Sequence, residues 1–330
     1  MRAISRRVTA LLVVVIAAAG TASCASASGS PENGSSGLEK TDLTVAVVPA
    51  VDSAGFFVAL HDGLFKAEGL TVHFVPAVSS ETEIADQVKG TVDITGGNYV
   101  SYIQAQQAGD ANLQIVAEGS VMTQGTQALY TMPDSKIRTL AALQGKTIGI
   151  NAPRNILYLL AASALAGDGI AANTVRFAYV PLPKMAAALA AGQVQAAVLP
   201  EPFASQAQQQ FGVVTLADLN AGATTAFPVQ GYVVTRQWAA AYPHTLAAFV
   251  RALEEGQQLA DTDRGEAEHA MESLPTTPIP LAVSQGTAAI MSLDSYPVGP
   301  VDTERIQRVA DVMSQFLNFP AFSVQSMIGG

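Results

Sequence analysis

Short runs rich in valine and isoleucine alternate with alanine-rich stretches along most of this chain. Residues 43–48 and 147–150 are typical of buried strands, whereas residues 98–108 and 155–166 have the length and apolar spacing of helices. This alternation predicts mainly parallel sheets with helices on both faces, because parallel neighbours are joined through crossover helices. After residues 231–235 the alternation stops, and the rest of the chain is predicted to be mostly helical.

The length and the late change of pattern together predict two lobes. At roughly 150 residues per domain, 330 residues suggest about two domains. We assign residues 41–128 and 229–330 to the first α/β lobe and residues 129–228 to the second. The chain is expected to cross between the lobes at 128–131 and 230–234, and the C-terminal helices then return to the first lobe.

The first 23 residues have the three parts of a secretory signal peptide. Three arginines come first, an apolar run follows over 10–20, and small residues precede Cys24. This order resembles a bacterial lipobox, although Thr21 stands where that pattern usually has leucine. The resemblance implies cleavage before Cys24 and lipidation of its sulfur; an ordinary cleaved signal with an incidental cysteine is the alternative. Residues 24–40, rich in serine and glycine, are predicted to be a flexible lipid-anchored tether.

Composition and missing motifs exclude several classes of function. The chain has 17 basic and 27 acidic residues, a net charge of −10 and no basic run after its start, so nucleic acid is not an expected partner. A single cysteine excludes a disulfide scaffold and a multi-cysteine metal site. The sequence has no complete phosphate loop and no G-x-S-x-G motif, and its four histidines lack metal-ligand spacing. We therefore expect no enzyme activity, no cofactor and no metal.

Ligands of open α/β sheets bind beyond the carboxyl ends of the strands, where helices begin. Nine residues in or beside these loops are the candidate ligand contacts: Asp52, Ser53, Phe56, Asn98, Tyr99, Gln124, Arg154, Asn155 and Glu201. The polar residues at predicted helix starts lie beside free N–H groups, which with the helix dipole favour negative or polar ligand atoms. The alternative is that they only cap their helices.

The charged and aromatic candidates also leave alternatives open. Arg154 precedes a helix start, where its charge opposes the dipole, so it indicates either an anionic ligand group or a solvated side chain. Glu201 lies between two prolines and is either a contact to the ligand or the other lobe, or an acid at a helix start. Phe56 and Tyr99 are either walls of the site or core residues.

Four segments, in order along the chain, resemble one known family. They are residues 54–72 with the pattern G-x-F-x-A-x-x-x-G-L-F-x-x-E-G-L-x-V, residues 92–95, residues 140–149, and residues 187–203 ending in Glu201-Pro202. Gln195 stands where the family often has aspartate. The family is the periplasmic solute-binding proteins of ABC importers of the nitrate, taurine and aliphatic-sulfonate type, which includes binders of thiamine-pyrimidine precursors.

The resemblance implies a type II periplasmic-binding-protein fold, with a hinge and a ligand cleft between two parallel-sheet lobes. It also implies a monomeric lipoprotein on the outer face of the bacterial cytoplasmic membrane, which delivers a small anionic or heterocyclic solute to a permease with a cytoplasmic ATPase. Sulfonate, carboxylate, nitrate and pyrimidine-like ligands remain open. The alternatives are a ligand-sensing accessory lipoprotein and a thiamine-pyrimidine-synthase-like enzyme, whose Cys-rich motif this chain lacks.

Overall fold

A computed structural model describes residues 37–275 and 282–329, which contain two five-stranded sheets. The first sheet has the order β2-β1-β3-β10-β4, with β1 (Asp42–Val47), β2 (Thr71–Pro76), β3 (Ile94–Asn98), β4 (Leu113–Val121) and β10 (Pro228–Thr235). The second has the order β7-β6-β8-β5-β9, with β5 (Gln127–Thr131), β6 (Thr147–Ile150), β7 (Arg176–Tyr179), β8 (Ala196–Pro200) and β9 (Val214–Asp218). The predicted signal peptide, Cys24 and residues 25–36 of the predicted tether lie outside the described residues.

Each sheet is mixed rather than parallel throughout. In the first, β1 pairs in parallel with β2 and β3, while β10 runs antiparallel to β3 and β4. In the second, β6 pairs in parallel with β7 and β8, while β5 runs antiparallel to β8 and β9. The two-lobed α/β fold and the mainly parallel sheets predicted from the sequence are confirmed, and each sheet also contains one antiparallel strand, second from an edge.

In each sheet, the antiparallel strand is the first strand that the chain forms after it crosses from the other sheet. The chain leaves the first sheet after Val121 and starts the second at Gln127, and it returns between Asp218 and Pro228. The segments at which the crossings were expected, 128–131 and 230–234, are buried parts of β5 and β10. Both runs are rich in apolar residues, and each strand has a neighbouring strand on both sides. The assignment of 41–128, 129–228 and 229–330 to two lobes stays a prediction.

Helices join most of the strands and form the C-terminal part. They are α1 (Ala54–His61), α2 (Leu64–Ala67), α3 (Ser80–Val88), α4 (Tyr99–Ala108), α5 (Ile156–Gly167), α6 (Leu182–Ala190), α7 (Phe203–Phe211), α8 (Arg236–Ala241), α9 (Pro243–Thr262), α10 (Arg264–Glu272), α11 (Gln285–Ala288) and α12 (Thr303–Leu317). Among the C-terminal helices, α11 has only four residues and is capped by Ser284; residues 276–281 are outside the description. Within the described part of the chain, no helix is both long and apolar enough to span a membrane.

Two main cores hold these elements together. In the first, α1 packs against α9, and Phe56 lies among Phe57, Phe65 and Tyr232 with ring centroids 5.5–6.3 Å apart. In the second, α12 packs against both α4 and α5. Since α4 follows a strand of the first sheet and α5 a strand of the second, α12 lies against helices of both halves.

Candidate ligand-binding site

A small cavity lies where the two sheets face each other. We call it the cleft cavity; its lining comes from Val48, Ala50, Asp52, Ser80, Gly97, Asn98 and Gln230 on the side of the first sheet, and from Gln127, Asn151, Ile156, Leu157, Leu182 and Pro200 on the side of the second. Most of these residues follow the carboxyl ends of parallel strands or begin the next helix. The cavity volume is about 30 Å³, room for roughly two water molecules.

The turn after β1 forms one wall of the cleft cavity. Residues 51–53 make one 3-10 turn, in which the Ser53 hydroxyl donates to the Val48 carbonyl at 3.1 Å and to Gln230 Oε1 at 2.9 Å. The Val51 carbonyl accepts a hydrogen bond of 2.7 Å from the Tyr296 hydroxyl. These bonds fix the backbone on both sides of Asp52, so its carboxyl has a defined position in the wall.

Asp52 forms a buried carboxyl pair with Asp294, which lies behind it and comes from the segment after α11. Burial raises the pKa of Asp294 to about 6, although the Thr126 and Ser120 hydroxyls oppose the shift. Burial and, next, the charge of Asp294 raise the pKa of Asp52 well above its usual range. Two buried carboxyls close together cannot both ionise without mutual repulsion, so the pair favours its protonated forms more than free carboxyls do.

Two buried glutamines supply unpaired amide atoms to the cleft cavity. Gln127 begins β5 and is 1% exposed, and Gln230 lies in β10 and is 2% exposed. Among the described residues nothing pairs with Gln127 Oε1, with Gln230 Nε2 or with Asp52 Oδ1. A buried polar group without a partner costs about 1–3 kcal/mol, so these three atoms favour a ligand with polar groups.

Ser80, Gly97 and Asn98 form a rigid corner of the same wall. The Ser80 hydroxyl oxygen accepts from the Asn98 N–H at 2.9 Å and from Asn98 Nδ2 at 2.8 Å. Asn98 Oδ1 accepts from the Ser101 N–H at 2.9 Å and so caps α4. A Cβ at Gly97 would overlap the Glu83 carboxyl and the Ser80 side chain, so this strand end admits only glycine without rearrangement.

Of the nine residues predicted from the sequence, the structure brings Asp52 and Asn98 to the cleft cavity. Ser53 does not line it but orients Gln230 through a hydrogen bond. Asn155 is buried and caps α5, since its Oδ1 accepts from the Leu157 N–H at 3.2 Å. Asn155 therefore supports the cavity wall from behind.

Three further candidates lie away from the cleft cavity. Phe56 and Tyr99 are fully buried core residues, because apolar side chains surround both rings. Gln124 is exposed in the segment between β4 and β5. The core and solvent alternatives considered for such side chains are thus the ones that the structure favours.

Arg154 does not line the cleft cavity either. It adopts a positive φ of 54°, and its guanidinium donates to the Leu317 carbonyl at the end of α12, at 2.6 Å. Gln104 of α4 donates to the carbonyl of Arg154 at 2.7 Å. The charge that suggested an anionic ligand is therefore bound to the C-terminal end of a helix, where the dipole favours a cation.

Glu201 joins the two halves through its backbone and caps α7 through its side chain. Its carbonyl accepts from the Val51 N–H at 3.1 Å. Its carboxyl accepts from the Ser205 N–H at 3.0 Å and from the Ser205 hydroxyl at 2.8 Å. Burial raises the pKa of Glu201, although these Ser205 bonds oppose the shift.

Four residues of the candidate site were not among those predicted from the sequence: Ser80, Gln127, Gln230 and Asp294. Gln230 had a visible signal, because it interrupts an otherwise apolar strand, whereas Gln127 is only the first residue of its strand. Ser80 follows Ser79 ahead of an acidic stretch and reads as an ordinary helix start. Asp294 had no local signal, since only the fold brings it to Asp52.

Comparison with known proteins identifies the family. Residues 36–274 match the model of the NMT1-like family. The nitrate import ATP-binding protein NrtC of Synechocystis is 26% identical over 275 residues, which cover 78% of this chain and 40% of NrtC. The bicarbonate transport ATP-binding protein CmpC of Synechocystis is 28% identical over 239 residues, 66% of this chain and 35% of CmpC. The chain thus spans less than half the length of these curated relatives.

Solved structures share the fold at lower identity. The alkanesulfonate-binding protein SsuA from Xanthomonas axonopodis pv. citri, bound to MOPS, superposes with a TM-score of 0.72 and 21% identity over 88% of this chain and 98% of SsuA. The periplasmic nitrate-binding protein NrtA from Synechocystis gives a TM-score of 0.72 and 15% identity over 88% and 85%. The resemblance found in the sequence is confirmed, and the family match over residues 36–274 shows that this chain belongs to the NMT1-like family.

Proposed function

We propose that this protein is the extracytoplasmic solute-binding component of an ABC importer, which captures a small organic solute between its lobes. The observation that carries the proposal is the cleft cavity, which residues after strand ends of both sheets line. Ligands of open α/β sheets bind at this edge of the sheet. The family match and the shared fold of nitrate- and sulfonate-binding proteins support the same function.

Capture is proposed to proceed by closure of the two halves over the solute. A cavity of about 30 Å³ admits an organic molecule only if the halves separate. Hydrogen bonds that join the halves, such as Val51 N–H to the Glu201 carbonyl, are then made on closure. A solute that contacts both walls stabilises the closed form over the open one.

The location of the protein is part of the proposal. The signal-like first 23 residues, Cys24 and the serine- and glycine-rich stretch after it support a lipoprotein on the outer face of the cytoplasmic membrane. The partners are then a permease and its cytoplasmic ATPase, and the protein itself has no enzymatic step. Mass spectrometry of the purified membrane form, with and without Cys24→Ser, tests the lipid anchor.

A sensing role is the second candidate. The curated relatives are ATP-binding proteins of import systems, and this chain matches about 40% or less of their length. A domain of this kind joined to an import ATPase fits detection of the solute rather than its delivery. In that case deletion of the gene leaves uptake intact and changes only its regulation.

Uptake and binding measurements separate these roles. The full chain is screened by thermal shift against small organic solutes, because a ligand at 100 times its Kd stabilises a protein by about 2.7 kcal/mol. Uptake of each hit is then compared between wild-type and deletion cells. Loss of uptake supports delivery, whereas normal uptake with tight binding supports sensing. A folded chain that binds none of the solutes, with unchanged uptake on deletion, contradicts both.

A further inference from the structure

The unpaired atoms of the cleft cavity define what a bound solute must offer. Asp52 Oδ1 and Gln127 Oε1 are acceptors, and Gln230 Nε2 is a donor, and each lacks a partner in the described part of the chain. Ser53 holds Gln230 by its Oε1 at 2.9 Å, so the Nε2 donor is fixed as well. To pair these three atoms, a solute must supply two donors and one acceptor.

The side chains that line the cleft cavity can carry negative charge but no positive charge. Asp52 is the one ionisable side chain among the lining residues, which include no lysine, arginine or histidine. The arginines of the neighbourhood are engaged elsewhere: Arg154 with the Leu317 carbonyl, and Arg305 with Glu118 at 3.0 Å. An anion in the cleft cavity would find no cationic side chain in the lining to offset the loss of its own hydration, which low dielectric makes unfavourable.

We propose that the solute of the cleft cavity is a small organic cation with N–H donors, an ammonium or amidinium compound, held by Asp52 with Gln127 as second acceptor. The inference rests on the proposed solute-binding function and names its ligand class. Asp294 places a second carboxyl beside Asp52, and a bound cation offsets the repulsion between the two carboxylates when both are ionised. Gln230 Nε2 is left to donate to an acceptor elsewhere on the solute.

A proton and the bound organic cation therefore compete for the carboxyl pair of Asp52 and Asp294. The ionisable groups that face Asp52 are Asp294, Tyr232 and Tyr296. Burial raises the pKa of both tyrosines, so they stay neutral and the carboxyl pair alone titrates. Affinity for the cation is expected to rise as pH passes about 6, the pKa of Asp294, by up to about tenfold per unit where one proton is displaced, and the raised pKa of Asp52 extends the rise to higher pH.

The test is calorimetric titration of the full chain with three matched series. These are methylammonium, guanidinium and acetamidinium as cations, acetamide and urea as neutral analogues, and nitrate, acetate and methanesulfonate as anions. We expect binding of at least one cation, with affinity at least tenfold above its neutral analogue, and no binding of the anions. Asp52→Asn is expected to reduce the affinity for the cation at least tenfold, whereas Asp134→Asn, at an exposed carboxyl, leaves it unchanged.

Two results overturn the inference. One is binding of an anion that Asp52→Asn leaves unchanged or strengthens; the solute-binding function then stands with another ligand class. The other is binding by no cation of the series, and loss of uptake in deletion cells still decides the proposed function separately. Should Asp52→Asn fail to fold, the rise of wild-type affinity with pH replaces it, and an affinity that is constant or falls with pH contradicts the proposal.

Discussion

The buried pair of Asp52 and Asp294 predicts an unusual dependence of stability on pH. Burial raises the pKa of Asp294 from 3.8 to about 6 in the folded state. The folded chain therefore binds more protons than the unfolded chain over this range, and the free energy of unfolding falls as pH rises. The stabilisation is complete below pH 4 and is lost as pH passes 6, opposite in sign to that of a salt-bridged carboxylate.

The magnitude follows from the pKa difference. One pKa unit corresponds to about 1.4 kcal/mol, so Asp294 alone contributes a loss of about 3 kcal/mol between pH 4 and pH 7. The raised pKa of Asp52 has the same sign and extends the loss to higher pH. Since domains of this size unfold with about 5–15 kcal/mol, an effect of this size is measurable.

The assay compares the wild type with the double variant Asp52→Asn, Asp294→Asn. Urea unfolding followed by circular dichroism gives the free energy of unfolding at pH 4, 5, 6 and 7. The amides keep the shape of the carboxyls and do not titrate, so the difference between the two proteins isolates the pair from other buried acids such as Glu201. Equal pH slopes for wild type and double variant would refute the reasoning, and Asp134→Asn serves as the control with one exposed carboxyl removed.

Two substitutions test the supports of the site by the same unfolding assay, and a third, at Arg308, tests the segment after β9 by hydrogen exchange. Gly97→Ala is expected to lower the free energy of unfolding by about 2 kcal/mol, because the added Cβ overlaps buried polar groups. The control Gly167→Ala is expected to have no such effect, since a Cβ there meets nothing within 4 Å. Equal losses of stability in the two variants would contradict this. Asn155→Ala is expected to lose about 1 kcal/mol with the cap of α5, and no loss contradicts the cap. Arg308→Ala removes hydrogen bonds to three carbonyls and the contact 5.7 Å above Phe227, so hydrogen exchange in residues 219–227 should accelerate several-fold; unchanged exchange contradicts it.

The parts of this fold that depend on neighbours in the sequence could be predicted. The alternation of apolar runs gave most of the strands and helices, because burial on a sheet or helix face is a periodic property. Asn98 and Asn155 cap their helices, which was the alternative given for polar residues at helix starts, since a cap acts within three residues of itself. The antiparallel course of β5 and β10 could not be read, because strand direction depends on pairing partners far along the chain.

The candidate site was predictable in place and much less in composition. The strand-end loops lie at the edge where the cleft cavity is found, because that edge follows from the topology of the sheet. Gln127 and Gln230 lie within strands rather than in loops, so a search of the loops passed over them. Asp294 reaches Asp52 only through the C-terminal segment, which pairs with β4 by the bridge between Val121 and Ser295.

Arg154 explains why the sign of the ligand's charge could not be predicted from the sequence. An arginine before a helix start opposes the dipole of that helix, but this holds for α5 only when its neighbours are left out. In the fold the guanidinium binds the last turn of α12, where the dipole has the opposite direction and attracts a cation. The arginine, which is unfavourable at the start of α5, is thus stabilised by the C-terminal end of α12. With Arg154 engaged there, the anionic expectation keeps only the helix starts on which it also depended, and Asp52 is the one ionisable side chain among the residues that line the cleft cavity.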